Sequence, residues 1–450
     1  MGNDMRRWRD ALLALGILAA GLAAAPGLRA QDPRPLTPDE SVRLGLEHHP
    51  RLRTAAADAA GARALWRAAR AEGLPALRSQ AAYLRLSDNI PDIEFTLPGS
   101  DSTFTFQGVE LNRYSAELSI AQPLFTFGRI AGRTRAAERA ADAAELSLEQ
   151  ERADVAFEIR RTYWQLQSAL AVQASMETAL AQVDEHVQDV RNRLAEGTSL
   201  DRDLLVAQTR RSRVVLEQVE AENAVRVAQL ELNRLIGLPL DTDTRPSAEA
   251  VVAGDEPELA ALTATTLERR PALRALAQQV ASLEAQLSAA RSERLPRFDL
   301  TGRYQYARPN PYFFTEQDQF RRTWELGLTG QWNIWEGGRQ SALGEEARAR
   351  LDAARARLAE ARELAAVEVA RQQLEIRRAR AAAAAAETHL REAEESFRVL
   401  RQQYEEGTAL SVDVLDAEQA QRQAQARRAA ALADYQVARA AVRRLVGEVW

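Results

Sequence analysis

A tandem repeat that runs through most of the chain constrains its fold more than any other feature. The segment LEHHPRL at 46–52 resembles LERRPAL at 267–273, with their prolines 221 residues apart. Further along, EGTSLDRDLLVAQ at 196–208 resembles EGTALSVDVLDAE at 406–418, at an offset of 210 residues. Because several motifs hold nearly the same offset, the chain consists of two similar halves laid end to end.

Each half predicts the same order of elements: a helix, a strand pair and a long helical hairpin. The first half occupies 31–237 and the second 258–450, and the aperiodic segment 238–257, rich in Pro, Asp and Thr, is predicted to link them. The predicted bounds are about 38–72, 76–122 and 131–236 in the first half, and about 257–293, 297–334 and 341–446 in the second.

The first 30 residues carry the pattern of a secretory signal peptide. Arg6, Arg7 and Arg9 precede an apolar run, Ala11–Ala25, and the small residue Ala30 follows at the predicted cleavage site. The alternative is a membrane anchor, but this run is shorter than the roughly 20 residues that a spanning helix needs. The pattern therefore favours removal of residues 1–30 as a signal peptide and export of the mature protein.

Composition argues against several classes of function. The net charge of -5 gives no sign of nucleic-acid binding, and the absence of cysteine excludes disulfides and thiolate metal sites. The four histidines lack metal-ligand spacing, so we expect neither a metal nor a cofactor. Since the chain also has no phosphate-binding glycine loop and no nucleophile elbow, we expect no enzymatic activity.

The strand segments alternate apolar and polar residues over about ten positions, as membrane strands do. In the second half, Phe298, Leu300 and Tyr304 alternate with Asp299, Thr301 and Arg303, and TWELGLTGQWNIW at 323–335 continues the pattern. A soluble sheet with one buried face would show the same alternation. The export signal favours the membrane interpretation.

The long helices carry a heptad seam. No proline interrupts residues 131–195, and apolar side chains recur at alternating spacings of four and three, which predicts packing against a second helix. The seam residues are Met176, Leu180, Val183, Val187, Val190 and Leu194. Gly197 and Gly407 then end the two long helices, and after each glycine the chain returns as an antiparallel partner helix.

Four strands cannot close a membrane barrel, and an open sheet edge cannot face lipid. The chain must therefore share a barrel with copies of itself. Two copies would give eight strands, and three would give twelve with a wider interior.

These features resemble the TolC-like outer-membrane efflux protein family across nearly the whole mature chain. The resemblance rests on the tandem halves, on PLFTFGR at 123–129 and NIWEGGR at 333–339 before the long helices, and above all on YEEGTALSVDVLDA at 404–417. It implies a mainly helical chain that forms a homotrimer, with a twelve-stranded β-barrel in outer-membrane lipid continued by an α-helical barrel in the periplasm.

The family resemblance also implies a function. The trimer would be a passive exit duct of a tripartite efflux or type I secretion system in a Gram-negative cell. A periplasmic adaptor and an inner-membrane pump of the RND, ABC or MFS type would deliver its substrates. The alternatives are a periplasmic adaptor protein with a coiled coil, or a duct specific for metal ions.

By the same resemblance, the hairpin ends form the periplasmic aperture. Asp413, Asp416, Asp203 and Tyr404 would line it, and the adaptor would dock at Gly197, Thr198, Leu200, Gly407, Thr408 and Leu410. Ala409 stands where the family can carry an arginine, so a Tyr–Arg latch of that form is in doubt here, with Arg202 as a substitute. The alternative is that the aspartates only cap the second helix of each hairpin, together with Thr198 and Thr408 or with Ser199 and Ser411.

Overall fold

The computed structural model describes residues 35–89, 93–96, 98–99, 103–106, 110–252, 258–313 and 318–449. The predicted signal peptide, 1–30, lies outside these ranges. Within them, no helix combines the length and the apolar character that crossing a membrane requires.

The helices confirm a mainly helical fold with one long hairpin in each half of the chain. The long helices α3 (Arg129–Ala195) and α7 (Arg339–Glu405) have 67 residues each. Their return partners are α4 (Asp201–Ile236) and α8 (Ser411–Leu445). The shorter helices are α1 (Pro38–His48), α2 (Pro50–Ala71), α5 (Leu259–Arg269) and α6 (Pro271–Ser292).

The two helices predicted at about 38–72 and 257–293 are each broken in two, so this detail of the prediction was wrong. Pro50 and Pro271 begin the second piece in each case. The residue before a proline is pushed out of the helical region, and His49 and Arg270 indeed have ψ angles of 126° and 117°. Proline at the first position of a helix then restarts it without losing a hydrogen bond.

Each long helix begins directly after two residues with left-handed backbone. Phe127 and Gly128 have φ angles of 48° and 90°, and their repeat equivalents Gly337 and Gly338 have 61° and 85°. The helices begin at Arg129 and Arg339, directly after these turns, which is two residues earlier than the predicted 131 and 341. Phe127 is the only non-glycine residue of the four, and a side chain in this region costs about 1 kcal/mol.

The main sheet has four antiparallel strands in the order β2-β5-β7-β8. Its strands are β2 (Ala76–Arg85), β5 (Asn112–Phe125), β7 (Arg297–Arg308) and β8 (Arg321–Gln331). The halves of the chain therefore meet through the β5–β7 pairing, and β2 and β8 are the edges. Two minor ladders pair β3 (Ile93–Thr96) with β4 (Thr103–Phe106), and β1 (Pro35–Leu36) with β6 (Arg245–Pro246).

Burial in this sheet is inverted relative to a soluble protein. In β5 the apolar side chains Leu118 and Ile120 are 46% and 43% exposed, whereas Ser115 and Ser119 on the other face are half-buried. The polar face also holds Arg303, whose guanidinium lies 3.1 Å from both Glu117 and Glu325. The apolar face continues through β8, where Trp324, Leu326 and Leu328 are all more than 60% exposed.

The described residues form two compact units. One contains residues 35–47, 158–252 and 379–437. Within it, Ala179 and Val183 of α3 pack with Val214 of α4 and Leu415 of α8, and Leu180 borders this cluster. Val183 and Val190 are fully buried, so the predicted heptad seam lies in the helical core.

The other unit contains residues 48–157, 258–378 and 438–449, apart from the gaps stated above. Leu262 of α5, Val369 of α7 and Leu445 of α8 form a buried cluster there. Gly132 allows α3 to approach α6 closely, since a Cβ atom at this position would lie 3.1 Å from the Cα atom of Ala289.

The predicted linker at 238–257 is anchored to the first of these units where it is described. Thr244 is 2% exposed, and its hydroxyl donates to the side chain of Asn233, whose own amide nitrogen donates to the carbonyl oxygen of Thr242 at 2.8 Å. Nearby, the fully buried Tyr163 donates its hydroxyl to the carbonyl oxygen of Leu36 at 2.9 Å.

The Tyr163 oxygen also accepts hydrogen bonds from the backbone of Ser247 and Ala248, at 3.1 and 3.0 Å. Tyr163→Phe removes all three hydrogen bonds, although the Ser247 amide still donates to the Leu36 carbonyl at 3.0 Å, and the loss costs about 1–3 kcal/mol. We expect a lower thermal midpoint and faster hydrogen exchange at Ala248.

Tyr304→Phe is the matched control, because it deletes the same hydroxyl from a side chain that is 45% exposed. Equal thermal midpoints and equal exchange rates in the two variants would contradict the anchoring role of Tyr163.

Candidate functional site

The two hairpin tips have the same local geometry, 210 residues apart. Gly197 and Gly407 adopt left-handed φ angles of 77° and 76°. The backbone nitrogens of Thr198 and Thr408 both donate at 2.8 Å, to the carbonyl oxygens of Arg193 and Gln403 respectively. These are the hydrogen bonds that close the C-terminus of a helix when glycine supplies the left-handed residue.

The threonine hydroxyls correct one expectation from the sequence. Thr198 donates its hydroxyl to the Arg193 carbonyl at 3.0 Å, and Thr408 does the same to Gln403. Both threonines therefore stabilise the end of the preceding helix instead of capping the next one.

Aspartates cap the start of each return helix. A carboxylate oxygen of Asp413 accepts from the backbone nitrogen of Leu410 at 3.1 Å, and Asp203 accepts from Leu200 at 3.4 Å. Negative charge in the first turn of a helix is also favourable to the helix dipole. Capping is thus one role of Asp203 and Asp413.

Asp416 differs from the other two aspartates. It is exposed, and it lies on a groove of about 330 Å³ that is also lined by Arg202, Val206 and Val412. Arg202 lies 3.4 Å from Asp203. Leu200 and Leu410 are 61% and 68% exposed at the tips.

Tyr404 is 9% exposed and lies against an arginine that sequence reasoning missed. The guanidinium of Arg193 stacks 4.3 Å from the centre of the Tyr404 ring and also contacts the Tyr404 carbonyl oxygen at 3.5 Å. Asp189 holds Arg193 from the other side at 3.1 Å. A Tyr–Arg contact therefore exists within the chain, with Arg193 of α3 in place of a residue near Ala409.

The repeat contained a signal for this contact. When the two halves are aligned at an offset of 210 residues, Tyr404 corresponds to Leu194. An aromatic side chain therefore stands in the second hairpin where the first has a residue of its heptad seam. The arginine that Tyr404 contacts, Arg193, is the residue before Leu194 in the chain.

His186 connects three of the helix segments near the tips. Its Nε2 atom lies 2.8 Å from the Ser411 hydroxyl at the start of α8, and its ring centre lies 5.4 Å from that of Tyr404. Burial lowers the pKa of His186, and Arg193 and Arg401 lower it further, while Asp189 opposes them. The neutral imidazole is therefore the favoured form in the folded chain.

These side chains surround a small cavity of about 170 Å³. Its lining includes His186, Asp189 and Arg193 from α3 and Arg401 and Tyr404 from α7. Burial raises the pKa of the Tyr404 hydroxyl, so the phenol stays protonated. Glu418 of α8 borders the same cavity and leads to a second polar group.

That second group is a buried ionic network on α4 and α8. Arg422 contacts Glu418 at 3.0 Å, with both side chains at most 5% exposed, and reaches Glu217 at 3.7 Å. Arg210 donates to the carbonyl oxygen of Leu415 at 3.5 Å. Burial raises the pKa of Glu418, and the two arginines oppose this shift. Removing one partner of such a pair leaves an uncompensated buried charge, which strongly destabilises the fold.

The chain is similar to proteins whose names state a location and a role. A family model described as outer membrane efflux protein matches residues 42–238 and 262–448. SrpC, a solvent efflux pump outer membrane protein of Pseudomonas putida, is 29% identical over 265 residues. That alignment covers 57% of this chain and 52% of SrpC, so the chain spans about half the length of the curated relatives it matches.

Two solved channels share the fold. The CmeC outer membrane channel of Campylobacter jejuni is 16% identical with a TM-score of 0.76, over 94% of this chain and 90% of that one. The MtrE outer membrane channel of Neisseria gonorrhoeae is 19% identical with a TM-score of 0.73, over 95% and 94%.

The position of His186 predicts a pH dependence of stability. Because its pKa is lowered in the folded chain, the unfolded chain binds the proton first as the pH falls. Its contribution is fully present above the unfolded pKa of about 6.5 and is lost as the pH falls from there to the folded pKa. In His186→Gln, whose amide can keep the Ser411 contact, this part of the decline between pH 7.5 and 5 should disappear.

The measurement is the thermal midpoint at each pH, with the exposed His389→Gln as control. The raised pKa of Glu418 acts in the opposite direction and is common to all three proteins, so it cancels in the comparison. Parallel declines in wild type and His186→Gln would show that His186 does not titrate as described.

Proposed function

We propose the function of this chain from a premise that its sequence establishes: it belongs to the outer membrane efflux protein family. It is accordingly a protein of the cell outer membrane. We propose that three copies assemble into an exit duct that extends into the periplasm. The duct conducts substrates passively, with no catalytic step, from a periplasmic adaptor and an inner-membrane pump to the exterior.

The observation that carries this proposal is the inverted four-stranded sheet. Its apolar face is exposed and its polar face is partly covered, and both edge strands, β2 and β8, lack a neighbour among the described residues. Exposed apolar surface of this extent marks a contact with lipid or protein. Edges facing lipid must be paired, and three copies joined edge to edge give a closed sheet of twelve strands.

The polar face supports a water-filled interior for such a sheet. Arg303, Glu117 and Glu325 form a cross-strand ion-pair group on that face, and Thr301 donates its hydroxyl to the Gly327 carbonyl at 3.3 Å. Charged side chains in this arrangement need water or ion pairing, because burying them in lipid would cost several kcal/mol each, on the order of 2–4.

We propose that the hairpin tips form the periplasmic aperture. Asp416 is exposed and Asp413 is half-buried, so three copies would bring six carboxylates toward the axis from α8. A ring of this charge attracts cations. Asp203 adds a third carboxylate per chain from the first hairpin, and Tyr404 holds the tip of α7 through Arg193.

We further propose that the tips dock the adaptor. The exposed Leu200 and Leu410 offer apolar contacts, and the turns at Gly197–Thr198 and Gly407–Thr408 present them in the same local geometry. Repeated tips of one shape suit a partner that contacts both hairpins of each chain. A periplasmic adaptor would itself carry one hairpin within β-rich domains, so the sheet observed here disfavours that alternative.

Conductance across a planar bilayer tests the duct and its aperture together. Asp413→Asn/Asp416→Asn removes two charges per chain, and the asparagine at 413 keeps an oxygen that can accept from Leu410. We expect a cation-preferring wild-type pore whose reversal potential in a salt gradient moves toward zero in this variant. Asp434→Asn, on the exposed surface of α8 away from the tip, should leave the selectivity unchanged.

Asp413→Ala separates the two roles of this aspartate. It removes the cap as well as the charge, so it should also lower the thermal midpoint, by an amount equivalent to about 1 kcal/mol. Unchanged selectivity in the asparagine variant would reduce the aspartates to helix caps. A protein that fractionates as a soluble periplasmic monomer would overturn the duct itself.

A further inference from the structure

The apolar face of the main sheet carries an aromatic side chain at nearly the same level in each strand. These residues are Tyr83 in β2, Tyr114 in β5, Tyr306 in β7 and Trp324 in β8. All four are exposed, from 39% for Tyr114 to 77% for Trp324. Tyr83 and Tyr114 are direct cross-strand partners, and their ring centres are 4.9 Å apart. Tyrosine and tryptophan collect where a membrane meets water, so this line marks an interface level.

Guanidiniums form a second line beside the first. We call the end of the sheet where β2 leads to β5 and β7 leads to β8 the loop end. Two residues toward the loop end from the aromatic residue, and so on the same face, stand Arg85, Asn112, Arg308 and Arg322. Three of the four strands therefore place an arginine just outside the aromatic level.

The two lines run straight across from β2 to β5, and from β5 to β8 they follow the same diagonal. In the strand register, Tyr114 lies opposite Arg308, and Tyr306 lies opposite Arg322. A diagonal is how a level line crosses strands that are tilted, and membrane strands are tilted by roughly 35–45°. The arginines thus lie together at one depth, next to the aromatic residues and on the loop side of them.

The charges around these arginines are not equally balanced. Asp318 accepts two hydrogen bonds from Arg308, one of them at 2.5 Å, and Glu110 is a further carboxylate near it. Arg85 donates at 3.0 Å to the neutral side chain of Asn112. Arg85 and Arg322 are exposed, and they belong to the two edge strands.

In a closed sheet of three copies, β8 of one copy is the neighbour of β2 of the next. Adjacent strands lie about 4.8 Å apart, so Arg322 of one copy and Arg85 of the next can reach the same anion. Two guanidiniums that converge on one group are a strong arrangement for binding a phosphate. The two guanidiniums would lie at the level where lipid headgroups meet the aromatic belt.

We propose that each junction between copies binds a phosphate group of the outer-leaflet glycolipid through Arg85 of one copy and Arg322 of the next. This inference rests on the trimer and the orientation proposed above, in which the loop end of the sheet faces the exterior. The glycolipid of that leaflet, lipid A, carries phosphates on its sugar headgroup beside several acyl chains. The aromatic line and the apolar face contact the chains, and the arginines bind the phosphate.

Binding to purified trimers in detergent tests this site. The probes are bisphosphorylated lipid A, the same lipid after enzymatic removal of its phosphates, and phosphatidylglycerol. Arg85→Gln/Arg322→Gln should bind the phosphorylated glycolipid roughly tenfold more weakly than wild type or worse, given the contribution of each cation near a membrane surface. Arg85→Lys/Arg322→Lys keeps the charges and should recover part of the affinity.

The matched control is Arg78→Gln/Arg321→Gln. It removes one arginine from each of the same two strands, but on the polar face. This control should bind like wild type, and the dephosphorylated lipid should bind all the proteins weakly and alike. Trimer mass and bilayer conductance are measured on every variant to show that it is folded.

Several results would overturn the proposal. If conducting trimers of the Arg85→Gln/Arg322→Gln variant bind the lipid as tightly as wild type, the proposed phosphate site is refuted and the proposed duct is not. If the dephosphorylated lipid binds equally tightly, the arginines do not recognise a phosphate. If phosphatidylglycerol binds equally tightly, the site does not select the glycolipid. A wild-type protein that is neither trimeric nor conducting would overturn the duct and this site together.

Discussion

The structure depends on one constraint: a four-stranded sheet whose apolar face is exposed and whose edge strands have no neighbour in the part of the chain that the structure describes. Leu326 and Leu328 are 67% and 64% exposed, although burying each of them fully would contribute about 1.5–3 kcal/mol. Such a surface is stable only where lipid covers it and neighbouring copies pair its edges. Membrane insertion and the proposed assembly of copies would meet both needs, and the proposed exit duct rests on them.

The two helical hairpins share one tip geometry, and the second hairpin adds contacts that the first does not make. Both tips use the same glycine turn and the same aspartate cap, as Gly197 with Asp203 and Gly407 with Asp413 show. The second hairpin then departs from the first through Tyr404, which engages Arg193 and His186. The tips thus share one local geometry, while the contacts that hold the tip of α7 join Tyr404 of the second half to Arg193 and His186 of the first.

Much of this architecture could be predicted from the sequence, because long-range periodicity is a property of the chain alone. The heptad seam through Val183 and Val190, the strand alternation and the repeat all depend on spacing. Contacts between distant segments do not. Arg193 was missed because its partner lies on another helix, and the split at Pro271 was missed because the helical pattern continues on both sides. Thr198 and Thr408 were offered as caps of the next helix, because a hydroxyl can accept from the amides that begin one helix as well as donate to the carbonyls that end another.

The claim most in need of direct measurement is that one face of the sheet contacts lipid. The chain has no cysteine, so single cysteines introduced at 323–329 in β8 can each carry one spin label. In reconstituted membranes, we predict high accessibility to oxygen at 324, 326 and 328, and high accessibility to a water-soluble relaxation agent at 323, 325, 327 and 329. Loss of this alternation, or its reversal, would contradict a lipid-facing apolar surface and the duct that is inferred from it.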